Sequence, residues 1–259
     1  LRKAFPNARF DSAADLLMRV KLTRGPEEIE ALRLSNRIGE LGIKAAVENS
    51  APGVLQRDVW FQIAKAYLDA SGESPGRITI RAGAEGNTAD GKPLNEVFQG
   101  GQILSMTLSA SVLGYNCQVN QTVCIGQPAP TNRESTCQYN IELFETLVDG
   151  AKPGRSIADY VSFYKQEVDK RIAAFGGKPY TGVVFHTGGA LGDGPRMGWQ
   201  RDDENLDLVI EPGMVFTIKP RVPIPGLPTP STQIGDGVVI TATGAERLGR
   251  RKLEPITLS

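Results

Sequence analysis

The chain has 259 residues, and 29 Lys and Arg residues balance 29 Asp and Glu residues, so the formal net charge is zero. A neutral chain has no overall field that attracts nucleic acid or an anionic membrane surface. Its 40% hydrophobic content is typical of a globular protein, and no segment approaches the roughly 18 uninterrupted apolar residues of a membrane span. We therefore expect one large domain or two small ones, with neither nucleic acid nor membrane as a partner.

Cysteine and histidine, the residues of most redox and zinc chemistry, are few. The three cysteines Cys117, Cys124 and Cys137 are odd in number and lack C-x-x-C spacing, which predicts reduced thiols in a cytoplasmic protein. The single histidine, His186, limits zinc chemistry to sites built from carboxylates or thiols, because common catalytic zinc sites use two or three histidines.

The first half of the chain begins with two predicted helices. Pro26 followed by Glu27 and Glu28 is typical of a helix start, since proline suits the first turn and acids suit the positive end of the helix dipole. Pro52-Gly53 ends this helix, and a second helix is predicted over residues 55–70. Apolar residues with helical spacing on the first helix are Ala31, Leu34, Ile38, Leu41 and Ala45.

Strands and a second pair of helices follow. Extended segments are predicted over 77–82, 102–108 and 115–125. Helices are then predicted over 132–149 and 157–175, separated by Pro153-Gly154. Further strands are predicted over 181–186, 214–222 and 237–241.

This order of elements is a repeat. Pro52-Gly53 and Pro153-Gly154 are 101 residues apart (153 − 52), and an aspartate, Asp58 or Asp159, lies six residues after each proline. The sequence therefore predicts an α+β domain of two pseudo-symmetric helix-helix-strand halves around a curved antiparallel sheet. Two such halves create a central cleft.

Several segments resemble the creatinase/aminopeptidase P/methionine aminopeptidase family, which has the pita-bread fold. They are KLTRGPEEIEALRLSN at 21–36, Gly-Tyr at 114–115, EPGMVFTI at 211–218 and GDGVVIT at 235–241. The resemblance covers nearly the whole chain and is nearest to creatinases. It implies a pita-bread domain over 25–259 and a homodimer. It also implies that residues 1–24 are a linker after an N-terminal domain that is missing from this chain.

The same resemblance implies what stands at the family's metal site. The family's metallopeptidases hold two divalent metals with two Asp, one His and two Glu. Lys219 stands at one of these positions, and a cation there opposes a bound dication. The resemblance thus implies no metal and no cofactor. The five residues at the family's ligand positions are Thr107, Gln118, Gly189, Lys219 and Gly235.

Creatinases work without metal, but their catalytic histidine also has no counterpart here. Its position falls at Asp90 or Lys92, depending on where a small gap is placed. A later family histidine falls at Arg196. The resemblance therefore implies a different reaction, or none.

The cleft implied by this alignment is rich in neutral and basic groups and favours an anion. Lys219 is a candidate catalytic base or nucleophile, or else a structural residue that pairs with Asp236 or a neighbour and fills a vacated site. His186 is a second catalytic candidate, or else a packing residue. Arg196 is suited to bidentate carboxylate binding. The candidate substrate-binding residues are Arg196, Thr107, Gln118, Arg221, Asp90 and Lys92.

Two functions remain open at this point. The first is a metal-independent, creatinase-like enzyme that acts on a small carboxylate-bearing or peptide-like molecule. The second is a non-catalytic pseudo-peptidase that binds a peptide or protein partner in the ancestral cleft. The basic segment RLGRRK at 247–252 is predicted to be a solvated tail, because the neutral chain argues against a nucleic-acid patch.

Overall fold

A computed structural model describes residues 2–82, 95–127, 132–175, 183–187, 196–198, 207–222 and 232–258. The helices in these ranges are α1 (Ala14–Leu22), α2 (Pro26–Asn49), α3 (Gln56–Ser71), α4 (Arg133–Gly150) and α5 (Ile157–Phe175). The strands are β1 (Arg77–Ala82), β2 (Gln102–Val112), β3 (Tyr115–Ile125), β4 (Val183–Thr187), β5 (Arg196–Gly198), β6 (Val215–Ile218), β7 (Arg221–Val222), β8 (Thr232–Gln233), β9 (Asp236–Ile240), β10 (Ala245–Arg247) and β11 (Ile256–Thr257).

The strands form two larger sheets, one in each half of the molecule. The first has the order β1-β2-β3-β11 and the second the order β10-β9-β6-β4-β5, while β7 and β8 form a small pair. Neighbouring strands are antiparallel, except that β11 runs parallel to β3. Asn120 and Gly235 join the two sheets through reciprocal backbone hydrogen bonds of 2.9 and 3.1 Å. This arrangement confirms the predicted α+β architecture.

The predicted repeat is present in the backbone. Gly53 and Gly154 both have positive φ, 87° and 83°, which a glycine adopts readily. Each donates its N–H over 2.8 Å to a carbonyl in a later loop, Gly53 to Phe98 and Gly154 to Ile210. The two acceptors, Phe98 and Ile210, are themselves 112 residues apart (210 − 98). Because both Pro-Gly turns make the same contact, they are equivalent points of two similar halves.

A second pair of glycines marks the same symmetry. Gly101 and Gly213 have φ of 81° and 87° and stand just before the first central strand of each sheet. Gly101 donates to the Ile125 carbonyl over 2.7 Å, and Gly213 donates to the Ile240 carbonyl over 2.9 Å. The prediction of two pseudo-symmetric halves is therefore confirmed.

Each half buries its own apolar core between helices and sheet. Residues of α2 and α3 pack on one face of β1, β2 and β3, and residues of α4 and α5 pack on β6 and β9. A smaller cluster lies where the halves meet. Its buried members are Leu32, Cys117, Val215, Val239 and Leu248.

The buried face of α2 differs from the predicted stripe. Leu34 and Leu41 are exposed, at 47% and 44%, although Ala31 and Ile38 are buried as predicted. The buried face of α2 is instead centred on small residues, among them Gly39 and Gly42, because these permit close packing against α3 and the sheet. A Cβ atom on Gly42 would lie only 2.6 Å from the Tyr67 ring.

Two further predictions are wrong. The strand predicted over 214–222 is broken into β6 and β7, since Pro220 has no N–H to donate to a sheet. The segment at 247–252 is not a solvated tail throughout. Arg247 and Arg251 form ion pairs with the buried Asp236, over 2.7 and 2.9 Å, whereas the Lys252 side chain is 80% exposed.

Helices long and apolar enough to cross a membrane are not found in the part of the chain that the structure describes.

Candidate functional site

The candidate site lies on the polar face of the first sheet. Side chains alternate between the two faces of a strand, so Ile78 and Ile80 of β1 enter the helix-covered core while Arg77, Thr79 and Arg81 lie on the other face. β2 and β3 continue this polar face, with Thr79 opposite Thr107 and Thr107 opposite Asn120. The sheet thus presents a polar surface toward the second half.

Thr107 and Gly235 come together through Asn120. The Asn120 side-chain amide donates to Thr107 Oγ1 over 2.8 Å. The Asn120 backbone pairs with the backbone of Gly235, which precedes β9. Three strands from both halves therefore converge on this point.

Lys219 and Gln118 also meet. Lys219 follows β6 and donates from Nζ to Gln118 Oε1 over 2.8 Å, and Gln118 is only 4% exposed. The carboxylate of Asp236, the alternative partner considered for Lys219, is held by Arg247 and Arg251. The ammonium group is therefore bound to a neutral amide from the opposite half.

Gly235 is closely surrounded. A Cβ atom at this position would lie 2.6 Å from Asn120 Oδ1, 2.6 Å from Lys219 Cβ and 3.0 Å from the Ile218 carbonyl oxygen. No side chain fits there without displacement of its neighbours. Thr107, Gln118, Lys219 and Gly235 are thus packed into one small region.

A cavity of about 190 Å³ opens beside this region. Four of the seven described residues that line it carry a positive charge, and none of the seven carries a carboxylate. Thr79, Ser105 and Thr107 form its neutral surface and are themselves buried. The described lining residues are Arg77, Thr79, Arg81, Ser105, Thr107, Lys219 and Arg221.

Arg221 is held in place by Gln233. Arg221 Nη2 donates to Gln233 Oε1 over 2.8 Å. The Gln233 backbone is fixed in turn by Thr122, whose hydroxyl accepts from the Gln233 N–H over 2.8 Å and donates to its carbonyl over 3.2 Å. The guanidinium therefore sits on a rigid support.

Arg81 lies near enough to Arg77 on β1 to lower the pKa of the Arg77 guanidinium. Arg77 as a residue is exposed, but desolvation of its guanidinium beside the sheet lowers its pKa, and the nearby Arg81 cation lowers it further. Arg77 Nε donates to Thr79 Oγ1 over 3.0 Å. Arg81 Nε is buried and has no hydrogen-bond partner among the described residues.

These donors do not suit a pair of divalent metal ions. Such ions are held by carboxylates, imidazoles or thiolates. The described residues of the region offer an amine, guanidinium groups, amides and hydroxyls. No group of three or more His, Cys, Asp or Glu side chains able to hold a metal is found within the described ranges.

The structure brings together Thr107, Gln118, Lys219 and Arg221 of the predicted site residues. The backbone of His186 on β4 pairs with Arg196 on β5 and with Thr217 on β6, and the side chains of His186 and Arg196 lie outside what is described. Asp90 and Lys92, like Gly189, lie outside the described residues.

Two cavity residues were missed at the level of sequence, Arg77 and Arg81. The signal was present in the segment RITIR, where arginines four residues apart on one strand share a face. The position of that face became clear only from the pairing of β1 with β2.

Cys117, Cys124 and Cys137 are all free and buried. Burial raises the pKa of each thiol, which keeps it protonated. None of them lines the cavity.

Comparison with known proteins places the chain in a family. The sequence profile of metallopeptidase family M24 matches residues 30–242. The chain therefore belongs to metallopeptidase family M24. It is 26% identical over 249 residues to an Xaa-Pro dipeptidase of Pyrococcus furiosus, covering 95% of this chain and 68% of that protein. It is also 24% identical over 268 residues to a creatinase of a Bacillus species, covering 98% of this chain and 64% of that protein.

Solved structures agree. An Xaa-Pro dipeptidase from Bacillus anthracis superimposes with a TM-score of 0.84 at 21% identity, covering 99% of this chain and 70% of that chain. An aminopeptidase P variant from Escherichia coli gives a TM-score of 0.77 at 20% identity, covering 92% of this chain and 58% of that chain. The likeness confirms the predicted pita-bread fold.

Proposed function

We propose that this chain is a metal-independent, creatinase-like enzyme that acts on a small carboxylate-bearing or peptide-like molecule. The observation that carries the proposal is the cavity lined by Arg77, Arg81, Lys219 and Arg221 with no described carboxylate. Cations gathered around a small volume favour an anion there, because the attraction is strong where water is restricted.

The size of the cavity supports a small ligand. At about 190 Å³ it is smaller than the pockets of roughly 300 to 1,000 Å³ that hold drug-sized molecules. Its neutral surface is made of hydroxyl groups and not of apolar side chains. A short carboxylate or a dipeptide end fits this description better than a long apolar segment of a protein partner.

Arg221 and Lys219 have different roles in this proposal. Arg221, supported by Gln233, presents a planar guanidinium that holds a carboxylate through two parallel hydrogen bonds. Lys219, positioned by Gln118, supplies a proton or a positive charge to the reacting group. The names of the relatives suggest Xaa-Pro dipeptides and creatine as the first compounds to test, since both carry a carboxylate.

The test is calorimetric titration and turnover measurement with Xaa-Pro dipeptides and creatine, before and after treatment with a chelator. We expect binding and turnover to survive the chelator, with an unchanged melting temperature. Activity that is absent from the chelated protein and appears only with added Mn²⁺, Zn²⁺ or Co²⁺ would contradict metal independence. The melting temperature is a second readout, because a bound metal stabilises the fold that binds it.

Two variants test the proposed roles. Arg221→Gln is expected to weaken carboxylate binding by about 1.5 to 3 kcal/mol, the range for hydrogen bonds to charged groups. Lys219→Met is expected to abolish turnover while the ligand still binds. The exposed Arg250 provides a control, Arg250→Gln, which removes the same charge outside the cavity and should change neither property. Binding without turnover in the unaltered protein would instead identify a non-catalytic pseudo-peptidase.

A further inference from the structure

The cations of the cavity are arranged in two groups along the strands. At one end, Arg81 is opposite Ser105 in the register of β1 and β2. The Ser105 hydroxyl donates to Gln233 Oε1 over 3.5 Å, and Arg221 Nη2 donates to the same oxygen over 2.8 Å. Arg81 and Arg221, one from each half, therefore belong to the same end of the cavity.

The other end is defined in the same way. Arg77 is opposite Ser109, and Ser109 is opposite Gln118 on β3. Gln118 accepts the hydrogen bond from Lys219 Nζ. Arg77 and Lys219, again one from each half, belong to this end.

Neutral hydroxyls separate the two ends. Thr79 and Thr107 are opposite each other, midway between the registers of Arg77 and Arg81. Four residues of strand span about 13 Å of backbone. The hydrogen bond from Arg77 Nε to Thr79 Oγ1 draws one guanidinium toward the middle, so the charged groups are closer together than the backbone spacing.

Two anionic groups on one ligand match this arrangement better than one. A single carboxylate has two oxygens and satisfies one guanidinium through a bidentate contact. Arg81 carries a buried Nε without a hydrogen-bond partner among the described residues, and Arg77 and Arg81 repel each other. A second anionic group would offset that repulsion.

We propose that the ligand of this cavity is a dianion with two separated acidic groups, such as a dicarboxylate, one bound between Arg81 and Arg221 and the other between Arg77 and Lys219. The inference rests on the proposed function, which requires only one carboxylate. It narrows the substrate class from small carboxylates to molecules with an acidic group at each end.

The experiment is titration calorimetry on the full chain with the dicarboxylates succinate, glutarate and adipate, with butyrate as the monocarboxylate and with inorganic phosphate. We expect one dicarboxylate to bind at least about tenfold more tightly than butyrate, because a second charge-assisted contact is added. The preferred chain length reports the distance between the two ends. Phosphate, a compact dianion, should bind no more tightly than butyrate.

Variants assign the two ends. Arg81→Gln is expected to reduce dicarboxylate affinity to within about threefold of the butyrate affinity of the same variant, because one of the two anionic groups loses its guanidinium. Arg81→Lys keeps the charge and should retain the preference for dicarboxylates. Arg250→Gln again serves as the control for net charge. Melting curves of each variant establish that it is folded.

The outcomes separate this inference from the proposed function. Equal affinity for dicarboxylates and butyrate, with Arg221→Gln weakening both, would overturn the inference and leave the proposed function intact. Phosphate binding more tightly than every dicarboxylate would also overturn it. Failure of every carboxylate to bind would overturn both.

Discussion

Asp236 is the buried acid that ties the second sheet to the segment after it. Its carboxylate is 0% exposed, and its Oδ2 accepts from Arg247 Nη2 over 2.7 Å and from Arg251 Nη1 over 2.9 Å. Arg251 Nη2 also donates to the carbonyls of Asn120 and Gly235, over 3.0 and 2.8 Å. One carboxylate thereby fixes an arginine that reaches across both halves.

Asp236→Asn is expected to destabilise the protein by about 3 to 5 kcal/mol, because it removes the buried carboxylate that Arg247 and Arg251 share and leaves Arg251 with the more distant Glu40 carboxylate, over 3.5 Å. Urea denaturation monitored by circular dichroism measures the loss. The control is Asp58→Asn, whose surface pair with Arg57 has a 3.6 Å separation and which should change stability by less than about 0.5 kcal/mol. A similarly small effect for Asp236→Asn would show that the two arginines find other partners.

At the scale of elements, the β2–β3 hairpin depends on a side chain from outside it. Leu113 and Gly114 at its tip have positive φ, 52° and 80°, which is unfavourable for leucine. The Glu73 carboxylate accepts from the Ser111 hydroxyl over 2.6 Å and from the Leu113 N–H over 2.5 Å. It therefore stabilises a turn that the hairpin sequence disfavours.

The hairpin contact predicts a pH dependence. The hydrogen bonds from Ser111 and from the Leu113 N–H lower the pKa of Glu73. A carboxylate with a lowered folded-state pKa contributes stability above its unfolded pKa of about 4.3 and loses it as the pH falls through the folded value. The stability difference between the wild type and Glu73→Gln should thus be constant near neutral pH and disappear in acid.

Thermal unfolding between pH 7 and pH 3 measures that difference. The exposed Glu145 on α4 provides a comparison, Glu145→Gln, which should change stability little throughout the range. A Glu73→Gln difference that persists unchanged at pH 3 would mean that the contact does not depend on the charge of the carboxylate.

Local signals in the sequence predicted most elements well. The helix predicted over 157–175 and the strands over 77–82 and 115–125 have the predicted bounds, because periodicity and Pro-Gly breaks act locally. The short strand β11 was missed because its partner β3 lies more than a hundred residues away, and β8 was missed because only two of its residues pair with β7. Arg77 and Arg81 were missed as cavity residues because the cations that they face, Lys219 and Arg221, are also more than a hundred residues away.

At the scale of the molecule, the two halves pack closely together at Gly237 of β9. A Cβ atom there would lie 2.1 Å from Cys117 Sγ and 2.9 Å from Asn36 Oδ1. The Asn36 side chain accepts a hydrogen bond from the Gly237 N–H over 3.1 Å. Absence of a side chain at this position is what lets β9 approach β3 and α2.

Gly237→Ala is expected to destabilise the protein by about 1 to 3 kcal/mol through overpacking. Cys117→Ala removes the sulfur atom in the way, so the double variant should lose less stability than the sum of the two single losses. Gly244→Ala is the matched control, since nothing lies within 4 Å of its Cβ position. Strict additivity of the two substitutions would mean that the halves do not press together at this contact.

The resemblance to a family predicted which residues of both halves meet in the cleft, but not how they interact. It indicated Thr107, Gln118 and Lys219, which the structure brings into one region. The hydrogen bond from Lys219 to Gln118 follows from the approach of two sheets. Sequence alone does not fix that approach to within the length of a hydrogen bond.

The parallel pairing of β11 with β3 has a consequence for synthesis of the protein on the ribosome. Ile256 pairs with Val123, and the Leu258 N–H donates to the Cys124 carbonyl over 2.8 Å. At about 5 to 20 residues per second, the ribosome needs on the order of ten seconds to add the 133 residues (256 − 123) between the paired positions. Throughout that interval the edge of β3 in the nascent chain lacks β11, so its backbone hydrogen-bonding groups can pair with another strand. One such strand is β3 of a neighbouring nascent chain on the same messenger RNA.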